Sequence, residues 1–137
     1  MGKKEINGLS QSILESYSSQ LLEVSKNIDH DIQKAAELII NNSGKVVISG
    51  LGKSGLIGQK IVATLCSTGT RSVYMHAAEA IHGDLGIYNP GDPTILISKS
   101  GNTEELVKLI PILKAVSYTH LRAHETGRNL VCRLLLE

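Results

Sequence analysis

Two short segments rich in glycine and hydroxyl groups have the composition of an anion site. The first reads GLGKSG at residues 50–55 and the second reads SKSGNT at residues 98–103. Each precedes a predicted helix, and the free N–H groups at a helix N-terminus bind phosphate. The second segment supplies the hydroxyls of Ser98, Ser100 and Thr103, whereas a helix cap needs one. We therefore predict that it binds a phosphate monoester, whose terminal oxygens accept several hydrogen bonds at once.

The first segment also matches two nucleotide-binding patterns. Its G-x-G-x-x-G spacing is that of a dinucleotide site, but such a site needs an acid near the end of the second strand, where this chain has His76 with Glu79 beyond it. Lys53 and Ser54 imitate a Walker A ending, but the required leading glycine falls at Val47. We predict a small phosphate cradle, and a nicotinamide-binding Rossmann domain or a tight turn without ligand remains the alternative.

The segment HAAEAIHGDLG, residues 76–86, supplies titratable groups between the two glycine-rich segments. His76 and His82 are six residues apart, which is not a standard zinc-ligand spacing. Histidine titrates near neutral pH, so a general acid or base is the better interpretation. We predict no metal ion and no cofactor.

Alternating strands and helices must position these segments. Apolar, β-branched runs predict strands and amphipathic runs predict helices. The helical run of residues 9–42 can divide at Asn27-Ile28-Asp29, which offers a capping side chain. The alternation predicts a three-layer, doubly wound parallel α/β sheet of Rossmann-like type with N-terminal helices, in which ligands bind beyond the carboxyl ends of the strands. The predicted strands are residues 45–49, 72–76 and 94–98, and the helices that follow the first and third of them are residues 55–67 and 103–115.

Composition limits the possible partners. The chain has 137 residues and a net charge of +1, which provides no basic surface for nucleic acid or an anionic membrane. Aromatic residues make up 3%, too few for base-stacking platforms. There is neither a run of about 18 apolar residues nor a signal peptide, so we predict a cytoplasmic protein with no membrane partner.

Residues 116–137 do not continue the pattern of the fold. The stretches Val116–Thr126 and Leu130–Glu137 resemble translated sequencing-adapter DNA, so we interpret residues 116–137 as a non-native tail and expect them not to pack on the domain. The preceding helical pattern has no stop signal. We therefore expect the chain to be an N-terminal fragment of a longer protein.

Three motifs together resemble a known family. VVISGLGKSGLIGQKIVATLCSTGT, HAAEAIHGDLG and ISKSGNTEEL are similar to the SIS (sugar isomerase) domain of the arabinose-5-phosphate isomerases, and the likeness covers roughly Gly8 to Ala115. These enzymes serve lipopolysaccharide biosynthesis. Their five-stranded parallel sheet is usually followed by two CBS domains, so the resemblance implies a truncated fold. The expected organisation is an N-terminal helical segment, 1–43, packing on a partial SIS domain, 44–115.

The resemblance also implies a reaction and its residues. The family interconverts D-arabinose 5-phosphate and D-ribulose 5-phosphate, an aldose–ketose isomerisation through an enediol. The full-length protein would be a homo-oligomer, and this fragment would be inactive. A non-catalytic phosphosugar-binding module of a regulator is the alternative. The positions matching the family's catalytic groups are Lys53, His82 and Glu105, and those matching its phosphate loops are Gly52, Ser54, Ser98, Ser100, Gly101 and Thr103. Glu105 is the candidate base, with His82 as the other choice.

Overall fold

The computed structural model describes residues 2–28, 30–116 and 131–134. The helices and strands alternate after two N-terminal helices, as the sequence pattern predicts. In chain order they are α1 (Lys3–Lys26), α2 (His30–Ile40), β1 (Val46–Gly50), α3 (Gly52–Ser67), β2 (Ser72–His76), α4 (Ala77–Ile81), a 3-10 turn (Asp84–Ile87), β3 (Thr94–Ser98), α5 (Glu104–Val116) and β4 (Val131–Leu134). No helix in these ranges is both long and apolar enough to cross a membrane.

The sheet has the order β2-β1-β3-β4, and its first three strands are parallel. At its carboxyl end β1 aligns Gly50 with His76 of β2 on one side and with Ile97 of β3 on the other. The chain therefore leaves β1 in one direction to form β2 and then crosses to the opposite side to form β3. This reversal is the property of a doubly wound sheet, and it confirms the predicted fold class.

Each face of the sheet is covered by helices, which confirms the three layers. On one face, α3 packs Ile61, Val62 and Leu65 against Val46 and Ile48. The opposite face carries a second apolar cluster, which combines Val47, Met75 and Leu96 of the strands with Ala77, Ala80, Leu106, Leu109 and Leu113 of α4 and α5. Successive β1 side chains alternate between the two clusters because strand residues point to opposite faces.

The N-terminal helical run divides where the sequence predicts. α1 ends at Lys26 and α2 begins at His30, and α1 extends back to Lys3, beyond the predicted start. The chain divides into two compact units, and the boundary between them along the chain falls between Ile32 and Gln33. Most of α2 therefore belongs to the unit that contains the sheet. Ile39 of α2 packs there against the α3-side cluster. The packing of the whole segment 1–43 on the SIS-like domain stays a prediction.

A fourth strand joins the sheet from the segment we interpreted as a tail. Val131–Leu134 pairs antiparallel with β3, so the expectation that residues 116–137 stay off the domain is wrong for these four residues. An open strand edge offers unpaired main-chain N–H and C=O groups, which any extended segment can pair with whatever its side chains are. Leu130 and the side chains of β4 lie outside the described residues. The non-native origin of the tail stays a prediction.

An ion pair joins the segments that lead into β1 and β3. The buried carboxylate of Asp92 accepts hydrogen bonds from the backbone N–H of Lys45 (3.0 Å), the Lys45 ammonium (2.5 Å) and the N–H of Asn89 (2.7 Å). Burial works against the charged form, but these bonds outweigh it and lower the pKa of Asp92 below its usual value. The contact holds the amino ends of two neighbouring strands together, at the opposite end of the sheet from the candidate site.

Candidate functional site

The candidate site lies where β1 and β3 end side by side. β1 is followed directly by α3, and β3 is followed after a short loop by α5. Because Gly50 pairs with Ile97, the segments that follow these two strands start from adjacent points of the same sheet edge. The chain reverses direction across the sheet between these strands, and such a switch point is where open α/β sheets bind ligands. The structure therefore brings the two glycine-rich segments together.

The cradle segment is more helical than predicted. α3 begins at Gly52 rather than at Gly55, so Gly52, Lys53 and Ser54 form its first turn. Gly52 has a φ of +53°, a left-handed conformation that side chains with a Cβ rarely adopt. The N–H groups of a first helical turn have no partner within the helix, which leaves them available to an anion. Lys53 is exposed beside them, and Ser54 is partly buried.

The outer glycines of the cradle are needed for close packing. A Cβ on Gly50 would lie 3.1 Å from the Gly55 nitrogen and 3.1 Å from the Ile97 carbonyl oxygen. A Cβ on Gly55 would lie 2.5 Å from the hydroxyl of Tyr74, a side chain of β2. That hydroxyl donates a 2.7 Å hydrogen bond to the Gly50 carbonyl. The G-x-G-x-x-G pattern thus lets α3 pack onto the strands, and Gly55 makes room for a tyrosine.

The hydroxyls of the second segment have different environments. Ser98 is 6% exposed, and its Oγ lies 2.8 Å from the Thr103 hydroxyl and accepts a 3.1 Å hydrogen bond from the Gly101 N–H. Gly101 is buried with a φ of +68°. Ser100 is exposed, and its hydroxyl accepts a 3.2 Å bond from the Asn102 N–H. Ser98 therefore holds the loop in shape, whereas Ser100 is open to a ligand.

The middle segment forms α4 and a 3-10 turn after β2. His82 is exposed directly after α4, and its N–H donates to the Glu79 carbonyl at 2.9 Å. His76 is partly buried at the end of β2, and its Nδ1 is buried with no hydrogen-bond partner in the described part of the chain. In the same part of the chain, no group of three His, Cys, Asp or Glu side chains is close enough to hold a metal ion.

The two neighbouring carboxylates at the start of α5 differ in their bonding. Glu104 forms a 2.6 Å ion pair with Lys108, one turn along the helix, and this contact lowers the pKa of Glu104. Glu105 is exposed, and among the described residues it forms no ion pair of this kind. Within residues 2–28, 30–116 and 131–134, no hydrogen bond or ion pair links Lys53, His82 and Glu105 to one another. The two carboxylates thus differ in their ion pairing.

The site combines an anion cradle with exposed acid–base groups. First-turn amides, Lys53 and Ser100 can bind a phosphate, and His82 and Glu105 can transfer protons. Sequence reasoning did not identify Tyr74 as part of the cradle. A tyrosine inside an apolar strand is the available signal, because a buried phenol hydroxyl needs a hydrogen-bond partner.

Residues 39–119 match the SIS domain family, which is more than half of the chain, so the chain belongs to that family. It is 50% identical over 110 residues to the arabinose 5-phosphate isomerase KpsF of Escherichia coli O6:H1, a match that covers 80% of this chain and 33% of the relative. The isomerase KdsD of Pseudomonas aeruginosa is 48% identical over 92 residues, 67% of this chain and 28% of the relative. The chain thus spans about one third of the length of these curated relatives.

A solved structure has the same fold. A protein of E. coli CFT073, crystallised as a complex with a sugar phosphate, superposes with a TM-score of 0.80 and is 32% identical. The superposition covers 93% of this chain and 70% of that one. The parallel α/β SIS architecture predicted from the motifs is therefore confirmed.

Proposed function

We propose that this chain is the sugar-phosphate-binding part of an aldose–ketose isomerase that interconverts D-arabinose 5-phosphate and D-ribulose 5-phosphate. The observation that carries the proposal is the meeting of two helix starts, each at a segment with glycine and hydroxyl groups, at the β1–β3 switch point. The relatives named arabinose 5-phosphate isomerase support the choice of substrate.

The reaction needs a base that moves a proton between C1 and C2 and a cation near the enediolate charge. We assign the base to Glu105, the position that matches the family's catalytic carboxylate, whereas the neighbouring Glu104 forms an exposed ion pair with Lys108. His82 would transfer protons at the sugar oxygens, and Lys53 would stabilise the developing charge or bind phosphate. In the described part of the chain no hydrogen bond or ion pair joins these groups to one another, so the substrate itself would bridge them.

The phosphate would be held by the first turn of α3 and by the loop before α5. Ser54, Ser100 and Thr103 would donate hydroxyl hydrogen bonds, and Gly52 would present its backbone N–H group. Gly101 would shape the loop, because its own N–H is bonded to Ser98. We assign Ser98 a supporting role, because it is buried and its hydroxyl accepts the Gly101 N–H bond within the loop. The full-length protein would be a cytoplasmic homo-oligomer.

Calorimetry with this chain tests the binding step. Arabinose 5-phosphate should bind saturably and arabinose should not, because the phosphate supplies the main contacts. Lys53→Ala should weaken binding of the sugar phosphate about tenfold, the loss typical of a charge-assisted hydrogen bond. Lys60→Ala, which removes an exposed lysine farther along α3, is the matched control and should change nothing. Equal binding of arabinose and its phosphate would refute the site.

The catalytic step is tested in the full-length protein. Conversion of arabinose 5-phosphate to ribulose 5-phosphate, followed by the appearance of the ketose, should occur without an added cofactor. Tight binding without conversion would instead support the non-catalytic regulator module.

A further inference from the structure

Tyr74 lies beneath the cradle segment, residues 50–55, and approaches β1 and α3 at Gly50, Gly55 and Gly58. Its β2 position pairs with Ile48 of β1, on the face that α3 covers. Ring atoms of Tyr74 lie 3.2 and 3.3 Å from the place of a Cβ on Gly58. The phenol oxygen reaches the cradle at Gly55 and donates to the Gly50 carbonyl at 2.7 Å.

The orientation of the Gly50 carbonyl affects the conformation of the whole turn that leads into α3. This carbonyl belongs to the last residue of β1, and α3 begins only two residues later. A peptide unit is planar, so fixing this carbonyl also fixes the orientation of the next N–H and the direction in which the chain enters the helix. Three glycines among residues 50–55 would otherwise give this turn wide conformational freedom. Ordering such a turn only when a ligand arrives would reduce affinity.

We propose that Tyr74 is a positioning residue for the phosphate cradle: its hydroxyl anchors the Gly50 carbonyl and so preorganises the first-turn N–H groups of α3 for the phosphate of a sugar phosphate. The inference rests on the proposed function, because it concerns the same anion site. Tyr74 itself does not touch the phosphate.

Two further observations agree with this positioning role of the Tyr74 hydroxyl. Burial raises the pKa of Tyr74, so the phenol stays protonated and remains a donor. The residue at position 55 must also lack a Cβ, because that atom would come within 2.5 Å of the phenol oxygen. The third glycine of the cradle and the tyrosine therefore depend on each other.

Tyr74→Phe removes the hydroxyl and keeps the ring. Titration of the 137-residue chain with inorganic phosphate should show a dissociation constant about three- to tenfold higher in the variant, the fold-change that corresponds to one typical hydrogen bond. In amide NMR spectra of the wild type, the Gly52, Lys53 and Ser54 signals should shift on phosphate addition, and in the variant they should be displaced before phosphate is added. Tyr17→Phe, at an exposed position of α1, is the matched control and should leave both readouts unchanged.

A second variant separates positioning from general destabilisation. Gly55→Ala places a Cβ 2.5 Å from the phenol oxygen and 3.2 Å from the Gly50 carbonyl oxygen, so it disturbs the same anchored carbonyl while keeping the hydroxyl. It should weaken phosphate binding by itself and add little in a Tyr74→Phe background. Independent, additive losses would overturn the inference, as would unchanged phosphate affinity in Tyr74→Phe. If the wild-type chain binds no phosphate, the proposed function fails and the inference fails with it. Normal wild-type binding with an unaffected Tyr74→Phe variant refutes the positioning part alone.

Discussion

Ser98→Ala tests whether the structure separates two serines that look alike in sequence. The change removes the acceptor of the Gly101 N–H and the partner of the Thr103 hydroxyl, both within the loop before α5. Alanine fits the space, so the cost comes from lost hydrogen bonds and from a buried N–H without a partner. Together these should lower the free energy of unfolding by about 2 kcal/mol.

Urea unfolding followed by circular dichroism measures this loss. The midpoint should fall by about 1 M at an unchanged slope, since the slope depends on the surface exposed on unfolding. Ser100→Ala is the matched control: its hydroxyl is exposed, so stability should change by less than about 0.5 kcal/mol. The same control should weaken sugar-phosphate binding by about 1–3 kcal/mol, as expected for a hydrogen bond to a charged group. Equal stability losses in the two variants would refute the distinction.

Three other predictions concern acid stability, catalysis and the core. The pKa of Asp92 lies below its usual 3.8, so the Asp92 carboxylate stabilises the fold above that pH, and this stabilisation is lost as the pH falls through the lowered pKa. Asp92→Asn should lower the free energy of unfolding by about 1–3 kcal/mol at pH 7, and urea unfolding should show this difference shrinking in acid. In the full-length protein, Glu105→Gln should lower kcat about 10²-fold with little change in KM, while Glu104→Gln should not; normal turnover in Glu105→Gln together with an inactive His82→Ala would move the base to His82. Leu109→Ala, at a fully buried position of α5, should cost about 2–5 kcal/mol in thermal or urea unfolding, whereas Val107→Ala on its exposed side should cost under about 1 kcal/mol.

The periodic segments of the fold could be predicted from the sequence. β2 and β3 have the predicted bounds, Ser72–His76 and Thr94–Ser98, because short apolar, β-branched runs bounded by turn residues are typical of buried parallel strands. Helix starts were less accurate. α3 begins three residues before its predicted start, because Gly52 and its neighbours can enter a helix as easily as they can form a loop.

Sequence alone determined which residue types stand at the strand ends: two glycine-rich segments with hydroxyls, a lysine, histidines and a pair of glutamates. Only the tertiary structure decided how buried each of them is and which partner it contacts, because both depend on how the loops, strands and helices pack. Ser98 is buried and Ser100 is exposed, and Glu104 differs from Glu105 by its ion pair with Lys108. The tertiary structure also brought Tyr74 under the cradle, 24 residues along the chain from the carbonyl it holds. Local pattern encodes secondary structure, whereas the partner of a hydroxyl or a carboxylate is set by how the strands and helices pack.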